Sequence, residues 1–222
     1  RVGTANAEGP YRETPNFQRP VVPLLGRLGC NGRSCHGSFQ GRGGFRLSMF
    51  GYDFNIDHQA LLAGDPQRAN VTTPAESLIL LKPTNADEHG GGKRYDTGGW
   101  EYRALRAWIT AGAPQNSAAA GQLVRLEVTP PELNFRQPGE RAQLRALAHW
   151  SDGTVEDVTC LTRFSSNDEL MVEVAPSGDV KAITRGDTNV ICCYDRAVVS
   201  VQVTAPVPEQ VGDKCPDVPT PT

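Results

Sequence analysis

The sequence predicts two domains, an all-α domain followed by an all-β sandwich. Three observations carry this expectation. Apolar residues recur at helical spacing as far as Pro114, and beyond Gln122 they alternate with period two. The stretch between, Pro114 to Gln122, is Ala-rich and has the composition of a linker. The six cysteines are split as well: Cys30 and Cys35 stand near the start, and Cys160, Cys192, Cys193 and Cys215 lie in the last third. The resulting boundaries are an N-terminal arm over 1–16, a helical domain over 17–114, a linker over 115–122, a β-sandwich over 123–204 and a Pro-rich tail over 205–222.

In the first domain, Val21, Leu24, Leu25 and Leu28 form one face of a short helix that enters with Pro20 and stops at Gly29. A Gly-rich loop with Gly37, Gly41, Gly43 and Gly44 follows. Short helices are expected around Asp57 to Leu62 and around Ser77 to Leu81, the latter opened by Pro74. The segment Trp100 to Thr110 places Tyr102, Leu105, Trp108 and Ile109 on one face, ends at Gly112 and Pro114, and should pack across the first helix. Short helices joined by long loops bury little apolar area, so this domain asks for a staple or a buried prosthetic group.

In the second domain the strand candidates are Leu123 to Val128, Ala142 to Ala146, Met171 to Val174, Asn189 to Tyr194 and Val199 to Val203. Turn signals at Pro138-Gly139, Asp152-Gly153, Ser177-Gly178 and Gly186-Asp187 separate them, the spacing of a sandwich. Strand alternation puts Val190, Cys192 and Tyr194 on one face and Val158, Cys160, Thr162 and Phe164 on another. A Cys160–Cys192 bridge is the preferred pairing, with Cys193 left to meet Cys215 or to stay free; unpaired buried thiols are the alternative.

At 222 residues and a net charge of −3, the chain lacks the basic patch of a nucleic-acid binder. No apolar run approaches the roughly 20 residues that span a bilayer. The chain begins with Arg1 rather than Met, which suggests processing or truncation upstream.

The chemical centre is Cys30-Asn31-Gly32-Arg33-Ser34-Cys35-His36. In C-x-x-C-H motifs two thiols add to the vinyl groups of haem and the adjacent imidazole ligates the iron. Four residues separate the thiols here instead of two, but His36 still follows the second thiol directly, and Gly32 lets the longer loop bulge outward. A Cys30–Cys35 disulfide stands second, and a zinc site using Cys30, Cys35 and His36, which would want a fourth ligand, stands last. A haem c attached in this way also points to an exported, periplasmic or cell-surface protein.

A helix leading to the first Cys, Gly-rich loops and a late Trp-Ile helix together look like a class I cytochrome c. Pro23-Leu24-Leu25, Gly29-Cys30-Asn31, Cys35-His36-Gly37, Gly44 to Ser48, Phe50 to Asp53, Ser77 to Pro83, His89-Gly90-Gly91 and Trp108-Ile109 resemble the haem domains of planctomycete-type cytochromes c. Asp152-Gly153-Thr154, Asp157-Val158-Thr159, Phe164 to Asn167 and Gly178-Asp179-Val180 resemble a bacterial Ig-like domain of group 2, to which such domains are often joined. The resemblance covers about residues 17–204 and implies an Ig-like sandwich behind a class I-like cytochrome domain. It also implies His36 as proximal ligand and His89, which matches the His of an H-x-G-G segment, as distal ligand. Met49 is the alternative, and His58 and His149 read as surface or structural residues. Among loop residues that could meet the haem propionates, Arg94 and Trp100 are named first. The expected function is extracytoplasmic electron transfer by one haem, alone or within a larger redox assembly, without catalytic turnover. An Ig-like adaptor with a sensory haem domain, or a haem enzyme with an open iron position, are the other readings.

Overall fold

The computed structural model describes residues 16–115 and 121–206. The arm as far as Pro15, most of the linker, the tail from Val207 and, with it, Cys215 lie outside the described residues.

The first part begins where the Asn16 carboxamide oxygen accepts the backbone N–H groups of Gln18, at 2.9 Å, and Arg19, at 3.4 Å. These bonds cap a π-helical turn, Phe17–Val21, that runs into α1 (Val22–Arg27). Gly29, at φ +77°, ends the helix and turns the chain into the cysteine loop. α2 (Phe54–Leu62) is capped by Asp53. Asp57 of this helix is buried and accepts the Ser48 hydroxyl at 2.7 Å, which pins the preceding loop. α3 (Leu78–Leu81) is one turn long, and α4 (Trp100–Thr110) turns Leu105, Trp108 and Ile109 inward. The Trp108 ring stacks on Phe17 at 5.3 Å, and its Nε1–H donates to the Pro114 carbonyl at 2.9 Å. The closing helix thus does pack on the start of the first. His58 is structural: its Nε2 lies 2.8 Å from the Ala113 carbonyl and its ring meets Phe17 and Trp108 edge-on.

The second part holds β1 (Leu123–Thr129), β2 (Glu132–Asn134), β3 (Arg141–Gln143), β4 (Arg145–Trp150) and β5 (Val155–Asp157). It continues with β6 (Arg163–Ser166), β7 (Val172–Val174), β8 (Asp179–Ala182), β9 (Gly186–Tyr194) and β10 (Ala197–Ala205). They form three sheets in the orders β1-β4-β5, β2-β10-β9-β6 and β3-β8-β7. All pairs are antiparallel except β2 with β10.

Two expectations are corrected by this architecture. The first part is not an all-α, class I-like cytochrome c domain: its α-helices have 6, 9, 4 and 11 residues, and long loops make up much of the rest. Glycines at positive φ, Gly29, Gly51 and Gly64, end the helical runs early. The second part is β-rich, as alternation requires, but its three sheets differ from the expected two-sheet Ig-like sandwich. The reason is local. At Leu144, whose N–H donates to the Gly178 carbonyl, the chain leaves one sheet for another, so the expected single strand Ala142 to Ala146 becomes β3 and β4.

The two parts touch through Arg19. Its guanidinium lies 4.1 Å over Trp150, 2.7 Å from Asp152 and 3.1 Å from Glu156, while its carbonyl accepts the Tyr194 hydroxyl at 2.8 Å. Arg196 reaches back to the Tyr52 carbonyl at 3.1 Å.

Candidate functional site

The cysteine loop closes on itself through its backbone. Cys30 N–H donates to Leu25 O at 2.9 Å, Cys35 N–H to Gly32 O at 3.0 Å and His36 N–H to Cys30 O at 3.0 Å. Gly37 is fixed by this closure, since a Cβ there would stand 2.0 Å from the Asn31 carbonyl oxygen. The loop then bonds to the next segment, Leu47 N–H to His36 O at 2.8 Å. The chain between them carries Gly43 and Phe45 back toward the imidazole.

These segments, α3 and the His89 loop enclose a cavity of about 320 Å³. Cys30, Cys35, His36 and His89 all line it, and Leu25, Phe45, Leu47, Leu78, Ile79 and Pro83 supply apolar wall. Four residues separated by up to 59 positions therefore converge on one cleft. Each imidazole is oriented by a carbonyl that can only accept a hydrogen bond. His36 Nδ1 donates to Phe45 O at 3.1 Å, and His89 Nδ1 donates to Gly92 O at 2.7 Å across a turn closed by Gly92 N–H to His89 O. Each ring thereby keeps Nε2 as its free lone-pair nitrogen. Burial, opposed by the Phe45 carbonyl and reinforced by His89 across the cleft, lowers the His36 pKa and keeps that ring neutral at neutral pH.

The thiols differ in surroundings. Burial pushes the Cys30 thiol up to about 12 against the pull of Arg94. Arg94, fixed by its N–H to Pro83 O at 2.7 Å, brings Nη2 to 3.8 Å from Cys35 Sγ. Cys30 and Cys35 are free thiols, so no disulfide closes the loop.

Other expected site residues lie elsewhere. Met49 sits on a short 3₁₀ turn (Met49–Gly51), is 49% exposed and does not line the cavity. Trp100 lies 5.3 Å under the Arg27 guanidinium, away from the cleft. In the β part, Cys192 is buried with Val190 and Tyr194 as alternation requires, but Cys160 sits on a 3₁₀ turn (Thr159–Leu161) that breaks the period-two pattern. Cys160, Cys192 and Cys193 stand as free thiols, so the Cys160–Cys192 bridge is not formed, and Cys193 meets Arg163 Nη2 at 3.5 Å. Arg42, Arg68 and Lys82 line the cavity without having been singled out in the sequence. Arg42 and Arg68 lie in loops with no periodicity and Lys82 opens a 3₁₀ turn (Lys82–Thr84), so only the fold brings them there.

No family model matches the chain, and no curated protein does. Among solved structures it is similar to domains 5-6 of the S-layer protein SbsC, at 18% identity and TM-score 0.33, over 38% of this chain and 44% of that one. It is likewise similar to domains 4 and 5 of SbsC, at 16% identity and TM-score 0.32, over 42% of this chain and 55% of that one. The chain thus matches only about half the length of these structures. Among the described residues no three His, Cys, Asp or Glu side chains gather into a metal site. The resemblance to planctomycete-type cytochromes c with a group 2 Ig-like domain is therefore not upheld: no family model matches, no metal-holding group forms among the described residues, and what stands is a short-helical part followed by a β-rich one. Among the described residues no helix is long and apolar enough to cross a membrane.

Proposed function

We propose that the cavity takes one haem, attached covalently through Cys30 and Cys35, and that the protein carries electrons outside the cytoplasm, alone or within a larger redox assembly. The reading rests on residues and not on family. Its supporting observation is the convergence of two thiols and two oriented imidazoles on one apolar cleft.

The ring spacing is compatible with it: two metal–imidazole bonds of about 2 Å would put the centres of two rings sharing one ion roughly 6 Å apart. The His36 and His89 ring centres are 6.3 Å apart, with planes inclined by 26°. Among the described residues no three His, Cys, Asp or Glu side chains gather closely enough to hold a bare ion, whereas a porphyrin would bring four nitrogen donors of its own and ask only the two imidazoles for more. Bound haem would supply the one-electron chemistry.

The chain's own residues do the rest. The carbonyls of Phe45 and Gly92 engage Nδ1 of the two imidazoles and leave both Nε2 atoms free, Leu25, Leu47 and Ile79 supply apolar wall, and the thiols would tether the group. Were His36 and His89 both to ligate the iron, no open position would remain for a substrate, which favours a carrier over an enzyme.

The test is the optical spectrum of the reduced protein with and without carbon monoxide, followed by denaturing extraction. Haem that survives extraction and six-coordinate low-spin bands unmoved by carbon monoxide are expected. Haem that is lost on extraction, or never present, overturns the reading and leaves a binding module. Rapid carbon monoxide binding replaces the carrier with a sensor or an enzyme.

A further inference from the structure

We propose that Arg42 and Arg68 form the carboxylate-binding edge of the cleft and fix which way round the haem lies. This inference rests on the haem reading above and deepens it. A haem carries its vinyl groups and its two carboxylates on different edges, so the thiols define where the vinyl edge must be. Arg94, 3.8 Å from Cys35 Sγ, belongs to that edge and is not placed to meet the carboxylates.

The cations left along the cavity are Arg42, Arg68 and Lys82, opposed by the single carboxylate of Glu88. Among the described residues neither Arg42 nor Arg68 has an ion-pair partner, whereas eight other pairs do form. Arg68 is half-buried, and its side chain makes one long hydrogen bond, to the Pro66 carbonyl at 3.5 Å. An arginine held against an apolar wall without an anion is a site for one, and a guanidinium matches a carboxylate in a two-bond fork.

Placement strengthens the assignment. The Arg68 guanidinium lies 5.1 Å over the Phe45 ring, and the Phe45 carbonyl orients His36. The Arg68 carbonyl accepts Ile79 N–H at 2.9 Å, which anchors the residue to the cavity wall. Arg42 is tied by two backbone bonds to Phe45 across a glycine turn, so both arginines flank the same residue. They would hold the carboxylate edge on the side of the proximal imidazole's support.

The experiment measures midpoint potentials of the full chain carrying covalent haem, with attachment checked in each variant by denaturing extraction. Removing either guanidinium leaves a carboxylate uncompensated, which favours ferric iron. R42Q and R68Q are each expected to shift the reduction equilibrium toward the oxidised form by about threefold to tenfold, tenfold being about 59 mV for one electron. R68K should recover part of the loss. R46Q should leave the potential unchanged, because Arg46 stacks on Phe39 at 5.5 Å and does not line the cavity.

Wild-type potentials in both R42Q and R68Q overturn the proposal. So does a variant whose only change is slower reaction with ferricyanide, which assigns these cations to the docking of an anionic partner. Should R68Q fail to fold, R42Q, altered at an exposed side chain, and R68K carry the same comparison. Wild-type protein without haem sinks the haem reading itself, whereas haem-loaded variants with unchanged potentials sink only this one.

Discussion

The two halves of the molecule secure their cores by different means. In the β half, β9 and β10 pair over their full lengths, Gly186–Tyr194 against Ala197–Ala205, and Leu144, Val172, Val190 and Val201 are fully buried around them. The helical half has α-helices of 11 residues or fewer and leaves apolar wall open around a cavity of about 320 Å³. A β ladder satisfies its own backbone and covers its own core, so it can stand without help. A loop-rich half built around a cleft has less packing of its own to rely on. The halves should therefore respond differently to the same insult.

The largest effect is expected from deleting the centre of the helical core. Trp108→Ala removes the ring stacked on Phe17 and the bond to Pro114, and should cost about 3–5 kcal/mol, the usual range for a buried Trp. Unfolding followed by tryptophan fluorescence and by strand circular dichroism should then separate into two transitions. The matching deletion in the other half, Leu144→Ala, at about 2–5 kcal/mol, should lower the strand transition first. A single transition in both variants would show that the halves fold as one unit.

This contrast was partly legible in the sequence. Helical spacing located α4 from Tyr102, Leu105, Trp108 and Ile109, and glycine and proline located its end. Period two found β1, β9 and β10 and the inward face of Cys192. It failed at Leu144, where a backbone bond to Gly178 diverts the strand, and at Cys160, where a 3₁₀ turn resets the alternation. Both are tertiary events that a local pattern cannot carry. The cleft followed the same rule. Cys30, Cys35 and His36 announced themselves by adjacency and His89 by its glycines, whereas Arg42 and Arg68 reached the cavity through loops with no sequence signal.

A smaller effect sharpens the comparison at the loop itself. Gly37→Ala places a methyl group within 2.0 Å of Asn31 O, so the closed loop must open. The expected cost is about 1–3 kcal/mol, as for other overpacked sites, confined to the helical half. If the proposed haem is present, the variant should also retain less of it after extraction than wild type, because Cys35 and His36 precede Gly37 directly. Full retention with unchanged stability would show that the loop has slack the close contact does not suggest.

At the junction, Arg19→Ala removes two ion pairs and the stacking on Trp150, and about 1–2 kcal/mol is expected for partly exposed contacts of this kind. The consequence of interest is coupling and not stability. With Arg19 gone, the two halves should unfold at more widely separated denaturant concentrations, and coincident transitions would assign the coupling to Arg196 and the remaining contacts.

The smallest effect distinguishes the halves by pH. Burial, only partly offset by the Ser48 hydrogen bonds, raises the Asp57 pKa in the helical half. In the β half, burial of Asp157 is outweighed by hydrogen bonds from Thr159 and Arg145, so its pKa is lowered. The signs are therefore opposite. A raised carboxyl destabilises the fold while ionised, so the helical half should gain stability as pH falls through the folded Asp57 pKa toward the unfolded value near ~3.9. A lowered carboxyl contributes stability above that unfolded value, and the β half should lose it as pH falls further, through the folded Asp157 pKa. Asp57→Asn should flatten the first slope and Asp157→Asn the second, each read from denaturant midpoints between neutral and acid pH. If both halves weaken in parallel on acidification, the Ser48 bonds outweigh burial at Asp57, and its carboxylate supports the cleft loop in its charged form.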